Sequence, residues 1–184
     1  ADAFIAKFAA AMKNTRCGDP LADESVGYGP LINKAAFESV DGLVRRAVQA
    51  GAVVATGGKR AAGDGGYFYE PTVLTGVKQD MEIIQREIFG PVAPVVTFED
   101  LDEAIAFAND SDYGLTSSIY TRNIDVALRA CHEIRFGETY INRENFEAMQ
   151  GFHAGWRKSG IGGADGKHGL YEFTQTHVVY MQRH

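Results

Sequence analysis

Residues 94–142, PVVTFEDLDEAIAFANDSDYGLTSSIYTRNIDVALRACHEIRFGETYIN, alternate short apolar runs with amphipathic segments. PVVTF reads as a buried strand. Asp100 with Glu103 makes a D-x-x-E capping box for a helix with Leu101, Ala104, Ile105 and Ala108 on one face. LTSSIYT is the next strand, Asn123 begins a helix with Ile124, Ala127, Leu128, Cys131 and Ile134 inward, and ETYIN is the strand after that. Strand, helix, strand, helix, strand with short connections predicts an α/β fold, a parallel sheet flanked by helices. In such sheets ligands gather beyond the carboxyl ends of the strands. ETYIN delivers the chain into NFEAMQGFHAGWRKSG, residues 145–160, and that location makes the loop a site candidate.

Upstream, Phe4, Phe8, Ala11 and Met12 recur at helical spacing and predict a first helix that stops near Gly18, Asp19 and Pro20. Asn33 caps a longer helix whose Phe37, Val40, Val44, Ala47 and Val48 form one apolar face before Gly51 ends it. AVVATGG is a short strand closed by two glycines, AAGDGGYF a glycine-rich turn, and PTVLTGV another strand. EIIQREIFGP is irregular. Downstream of the loop lie GIGGADGKHG, a helix-like LYEFTQ and a final alternating strand, THVVYMQ, which needs a partner sheet. No internal repeat and no linker long enough to force two independent domains is present.

The 184 residues suit one sizeable domain or a domain with an appendage. Apolar residues make up 45% and charged ones 23%, the proportions of an ordinary soluble protein. A net charge of −6 gives no electrostatic reason to expect nucleic acid or acidic lipid as a partner, whereas small metabolites suit it. The apolar runs fall far short of the ~20 residues that span a bilayer. No secretory leader opens the chain, and two distant cysteines, Cys17 and Cys131, make no disulfide framework. A cytoplasmic protein is therefore expected. The chain opens on Ala1 in what reads as mid-helix, so it is expected to be a piece of something longer.

Cys131 and His132 are adjacent, but helical neighbours point roughly 100° apart and cannot pair for nucleophilic catalysis. Cys131 is instead expected in the core, and Cys17, beside Gly18, Asp19 and Pro20, to be structural or incidental. No metal site is expected: His132, His153, His168, His177 and His184 lack ligand spacing and suitable companions. GIGGADGKHG fails the phosphate-loop pattern at Ile161 and His168 and the dinucleotide fingerprint at Asp165, so its glycines are read as serving tight turns and close packing. Two places survive. Glu87 and Phe89, two apart in an extended segment, lie on one side and suit a ligand with hydroxyls and a flat ring; a solvated Glu near a packed Phe is the plainer reading. Glu147 and His153 either line a small pocket or are exposed loop side chains.

GPLIN, GYFYEPTVL, REIFGPV, NDSDYGLTSSIYT, GETYIN and WRKSGIGGADGKHGLYEFTQ occur in an order and spacing that resemble the C-terminal part of NAD(P)-dependent aldehyde dehydrogenases, over essentially the whole chain. The resemblance implies that residues 1–173 are part of a catalytic domain and residues 174–184 an oligomerisation strand adding to a neighbouring subunit's sheet, hence a homo-oligomer, at least a dimer. It implies a mechanism in which a cysteine thiolate attacks the aldehyde, hydride passes to the nicotinamide, and a glutamate-activated water hydrolyses the thioester. The family's G-Q-x-C nucleophile motif and E-L-G-G-K base motif do not occur in this sequence, so no catalytic residue is assigned here.

By the same resemblance Glu87 matches the glutamate that hydrogen-bonds the nicotinamide ribose, and Phe89 the aromatic beside the nicotinamide, with NAD as the expected coenzyme and NADP left open. Glu147 and His153 stand where many relatives place aromatic residues of the substrate tunnel. Burying each hydrogen-bonding group against an alkyl chain would cost roughly 1 to 3 kcal/mol. A short 2-hydroxyaldehyde, such as lactaldehyde or glycolaldehyde, satisfies them. The alternatives are a non-catalytic assembly or binding module and a dehydrogenase for another small aldehyde such as succinate semialdehyde.

Overall fold

The computed structural model describes residues 1–62 and 65–183; Gly63 and Asp64 of the glycine-rich turn, and His184 among the histidines, lie outside the described residues. The chain divides into two compact units, Ala1–Phe98 and Glu99–His184.

In the first unit, helices α1 (Asp2–Asn14) and α2 (Lys34–Gln49) precede strands β1 (Val53–Thr56) and β2 (Thr72–Thr75), a single-turn helix α3 (Glu82–Gln85) and strand β3 (Val92–Pro94). The sheet order is β1-β2-β3, with β1 antiparallel and β3 parallel to β2. Pro94 has no N–H to give, and it stands at the outer end of an edge strand, where none is needed. The strand expected at PVVTF is thus centred three residues earlier, with only Val95 continuing its bonds, to the carbonyl of Leu74 at 2.8 Å.

The cap expected at Asn33 is present: its side-chain oxygen accepts from the backbone N–H of Ala36 at 2.8 Å. The α2 face that enters the core is Val40, Leu43, Val44 and Ala47, while Val48 is exposed. These side chains close on Tyr69, Leu74 and Ile83, all essentially without solvent contact. A fully buried aliphatic side chain contributes about 1.5 to 3 kcal/mol, so this cluster accounts for the unit's cohesion.

The second unit contains α4 (Leu101–Asn109), β4 (Tyr113–Gly114), β5 (Thr116–Ile119), α5 (Ile124–Glu133), β6 (Glu138–Ile141), β7 (Trp156–Arg157) and α6 (Gly166–Glu172). Strands β5 and β6 pair in parallel in full register, joined through α5, as expected for a β-α-β unit. The capping box forms with one variation. Asp100 accepts from the N–H of Glu103 at 2.9 Å, but the Glu103 carboxylate reaches back to the N–H of Glu99, at 2.7 Å. Asn123 caps α5, accepting from Asp125 and Val126.

Three expectations change. The strand expected at PVVTF pairs with β2 and not with the β5-β6 pair, so the three strands read from residues 94–142 do not share one parallel sheet among the described residues. Cys131 is exposed, not in the core. On α5 the buried side is Ala127 and Ala130, while Ile124 and Leu128 are exposed with Cys131. Residues 124, 128 and 131 lie on a neighbouring stripe of the same broad apolar face, and only the alanine stripe is covered. LYEFTQ, expected as the helix after the glycines, is helical only as far as Glu172; α6 starts earlier, at Gly166. Residues 175–183 form no strand ladder among the described residues, and Val178, Val179, Tyr180 and Met181 are exposed.

Candidate substrate-site loop

Strand β6 ends at Ile141, and Asn142, with a left-handed φ of 55°, turns the chain away. The Asn142 side chain accepts from the N–H of Thr121 at 2.8 Å and donates to its carbonyl at 2.9 Å, fastening the exits of β5 and β6 together. The chain then enters the loop that the sequence marks as a candidate.

That loop is tied down over its length. His153 and Ala164 exchange backbone hydrogen bonds at 3.2 and 2.9 Å, and β7 pairs antiparallel with β4. Arg157, itself at φ 56°, donates to the carbonyls of Asn109, Ser111 and Arg135. Ser159 Oγ accepts from the N–H of Gly114 at 2.9 Å, and Lys158 pairs with Asp112. Several glycines here leave no room for a side chain, and two have the closest neighbours. A Cβ on Gly137 would lie 1.6 Å from the Ala154 carbonyl oxygen, and one on Gly163 would lie 2.0 Å from the Phe152 ring. Close packing, the role expected of the glycine cluster, is what Gly163 serves.

His153 is partly buried, and its Nδ1 lies 2.7 Å from Glu138 Oε1. Glu138 and Tyr140 are two apart on β6 and therefore on one face. The Tyr140 hydroxyl donates to the other carboxylate oxygen, Glu138 Oε2. A carboxylate only accepts, so His153 donates through Nδ1–H. The hydrogen bond that His153 donates to Glu138 raises the His153 pKa above its usual value, against partial burial, with the charges of Glu138, Glu147 and Asp165 adding to the effect. The Tyr140 hydroxyl is pushed up to about 12, chiefly by its hydrogen bond to Glu138. Glu147 is exposed, and its negative charge acts on both His153 and Tyr140.

His153 lines a concavity of about 390 Å³ whose other walls include Leu115, Ser159, Ile161, Glu172 and Phe173. Aromatic and aliphatic walls with a few polar groups suit a small, partly polar organic molecule. Two further concavities, of about 550 and 380 Å³, lie in the first unit. Their charges are largely engaged: Arg16 with Asp23 and Ser25, Lys59 with Glu70, and Arg46 with Glu82.

Glu87 and Phe89 belong to the first unit. Ile88 between them packs against the core, and both neighbours are exposed; Phe89, with its left-handed backbone, departs from the extended segment expected there. Phe89 is 82% exposed in this chain, and its φ is 53°. A non-glycine residue at positive φ is strained and persists only where its surroundings hold it there. A carboxylate can accept from hydroxyls and an exposed ring can offer a flat contact, the group types that a ribose and an aromatic ring would need. Among the described residues no group of three His, Cys, Asp or Glu side chains stands close enough to hold a metal ion, and no helix is long and apolar enough to cross a membrane. Glu138 is the residue the sequence did not single out. Its only advance signal is a carboxylate inside an otherwise uncharged parallel strand.

Residues 1–179 match the family model described as "Aldehyde dehydrogenase family". The chain is 60% identical over 181 residues to the lactaldehyde dehydrogenase of Escherichia coli, covering 98% of this chain and 38% of that protein. The crystal structure of that enzyme superposes on 99% of this chain, and 38% of its own, with a TM-score of 0.92. A 3,6-anhydro-L-galactose dehydrogenase, solved in complex with NAP, matches with a TM-score of 0.87 and 44% identity over 92% of this chain and 36% of its own. The chain thus spans a little over a third of the length of the relatives it matches.

Proposed function

The chain belongs to the aldehyde dehydrogenase family, and from that premise we propose that it forms the C-terminal part of an enzyme oxidising a short 2-hydroxyaldehyde, such as lactaldehyde or glycolaldehyde, to its acid. The observation that supports this substrate best is His153, held by Glu138 at 2.7 Å on the wall of a concavity that combines apolar side chains with Ser159 and Glu172. With Nδ1 engaged, the ring has Nε2 left for a ligand. The neutral ring accepts there from a hydroxyl hydrogen, and the protonated ring donates to a hydroxyl oxygen, whereas an alkyl chain offers neither partner. Glu147, exposed and outside the lining of that concavity, is assigned as a second acceptor for a hydroxyl hydrogen on the resemblance alone.

In this reading the coenzyme is NAD or NADP, which accepts the hydride when bound. Glu87 accepts hydrogen bonds from the ribose hydroxyls, and the exposed ring of Phe89 gives the nicotinamide a flat contact. These residues bind and orient; the nucleophilic thiol, the base and the recognition of the adenosine ribose belong to parts of the enzyme that this sequence does not contain. The chain by itself therefore produces no NADH from lactaldehyde. Residues 174–184 add as a strand to a second subunit's sheet, which gives the exposed Val178, Val179, Tyr180 and Met181 a partner.

The test of the substrate reading is the paired substitution Glu147→Phe with His153→Phe in the whole enzyme. It shifts preference from 2-hydroxypropanal towards longer alkyl aldehydes. An unchanged ratio of kcat/KM between the two substrate classes refutes it.

A further inference from the structure

The mechanism above uses His153 but leaves unexplained why a carboxylate stands inside a parallel strand. Glu138 has a side chain only 10% exposed, yet both its oxygens are engaged, Oε1 by His153 and Oε2 by Tyr140. Carboxylates are costly to bury and persist where hydrogen bonds satisfy them. Apolar residues at 138 and 153 would pack the same space at no such cost, so the arrangement serves the imidazole. A histidine on a loop is otherwise free to rotate about two side-chain bonds and to exchange tautomers, and either change would remove the acceptor at Nε2.

We propose that Glu138 is a positioning residue that determines substrate specificity: by accepting from Nδ1–H of His153, and being held in turn by the Tyr140 hydroxyl, it fixes the imidazole in the one tautomer and orientation that leaves Nε2 to hydrogen-bond the 2-hydroxyl of the aldehyde. This rests on the reading of His153 as a substrate contact. Its backbone support is independent of any ligand. Glu138 stands in register with Thr116 on the rigid β5-β6 pair, while His153 is pinned to Ala164 through two backbone bonds, so both ends of the contact are held by structure. Glu138 touches no substrate; it acts through His153, which separates its effect from that of a general structural strut.

The experiment compares kcat/KM for 2-hydroxypropanal with that for propanal, which lacks only the hydroxyl, in the whole enzyme. Glu138→Gln keeps the shape and an acceptor oxygen but removes the charge and allows the amide to present a donor to the ring. It lowers the ratio about fivefold to tenfold, the effect of weakening one hydrogen bond. Glu138→Asp, which keeps the charge on a shorter arm, retains part of the ratio. In a His153→Phe background Glu138→Gln lowers the ratio no further. An equal loss on both substrates, or a further loss in the His153→Phe background, overturns the proposal. If His153→Phe itself leaves the ratio unchanged, the substrate reading fails and this inference with it. If His153→Phe lowers the ratio while Glu138→Gln does not, only the role of Glu138 fails. A reading that needs no variant is the nitrogen NMR spectrum of the unsubstituted chain above the pKa of His153. A ring protonated at Nδ1 is expected, and one protonated at Nε2 overturns the assignment.

Discussion

Replacing Gly137 by alanine sets a Cβ 1.6 Å from the carbonyl oxygen of Ala154, where contact becomes ordinary only beyond about 3.4 Å. Both partners are backbone-anchored, so one segment must withdraw by roughly 1.8 Å, the difference between those distances. Gly137 immediately precedes Glu138 and Ala154 immediately follows His153, so the withdrawal pulls apart a hydrogen bond now 2.7 Å long. Overpacking against backbone costs about 1 to 3 kcal/mol, and losing this partly solvated hydrogen bond about 1 kcal/mol more. For a chain of this size each kcal/mol shifts the midpoint by roughly 2 to 4 °C. A fall on the order of 10 °C is expected in a circular dichroism melt. Gly169→Ala is the control: inside α6 its Cβ meets only Ala164 backbone at an ordinary 3.5 Å. Alanine is favoured over glycine in a helix by roughly 0.5 to 1 kcal/mol, so this variant melts at or above the unsubstituted chain. A Gly137→Ala variant that melts with the unsubstituted chain refutes the close approach, and with it the coupling of β6 to the loop.

In the core of the first unit, Leu74→Ala removes a side chain with no solvent exposure and costs about 2 to 5 kcal/mol in urea unfolding; a loss below about 1 kcal/mol would mean the cluster is not the unit's core. His153 has a folded-state pKa raised above its unfolded value. Its charged pair therefore contributes stability that is fully present below the unfolded pKa and is lost as pH rises through the folded one. The stability gap between the unsubstituted chain and His153→Gln is expected to be largest below the ordinary imidazole value of about 6.5 and to shrink as pH rises above it, and a gap that widens with pH contradicts the assignment.

The parts of the fold readable in the sequence are those dictated locally. Asn33, Asp100 and Asn123 each accept from the N–H groups two or three residues on, so a side chain and its own helix are enough to find them. The parallel pairing of β5 with β6 follows from the short connections through α5. Which stripe of α5 is buried is not local. Ile124, Leu128 and Cys131 look as apolar as Ala127 and Ala130, and the choice depends on what the rest of the unit covers. Glu138 escaped notice for the same reason: its partner His153 is 15 residues away and reaches it only because Gly137 lets the Ala154 backbone come close. Phe89 shows the reverse case. Both it and Glu87 are exposed, while the left-handed backbone that presents the ring has no signature in the residue itself.

If His153 and Glu147 read a hydroxyl beside the aldehyde, steady-state oxidation of 2-hydroxypropanal and propanal by the unsubstituted whole enzyme separates the two aldehydes. Leaving one or two polar groups unmatched costs roughly 1 to 3 kcal/mol each, so kcat/KM is expected to favour the hydroxyaldehyde by about tenfold or more. Equal efficiency on the two aldehydes, or a preference for propanal, would contradict the account.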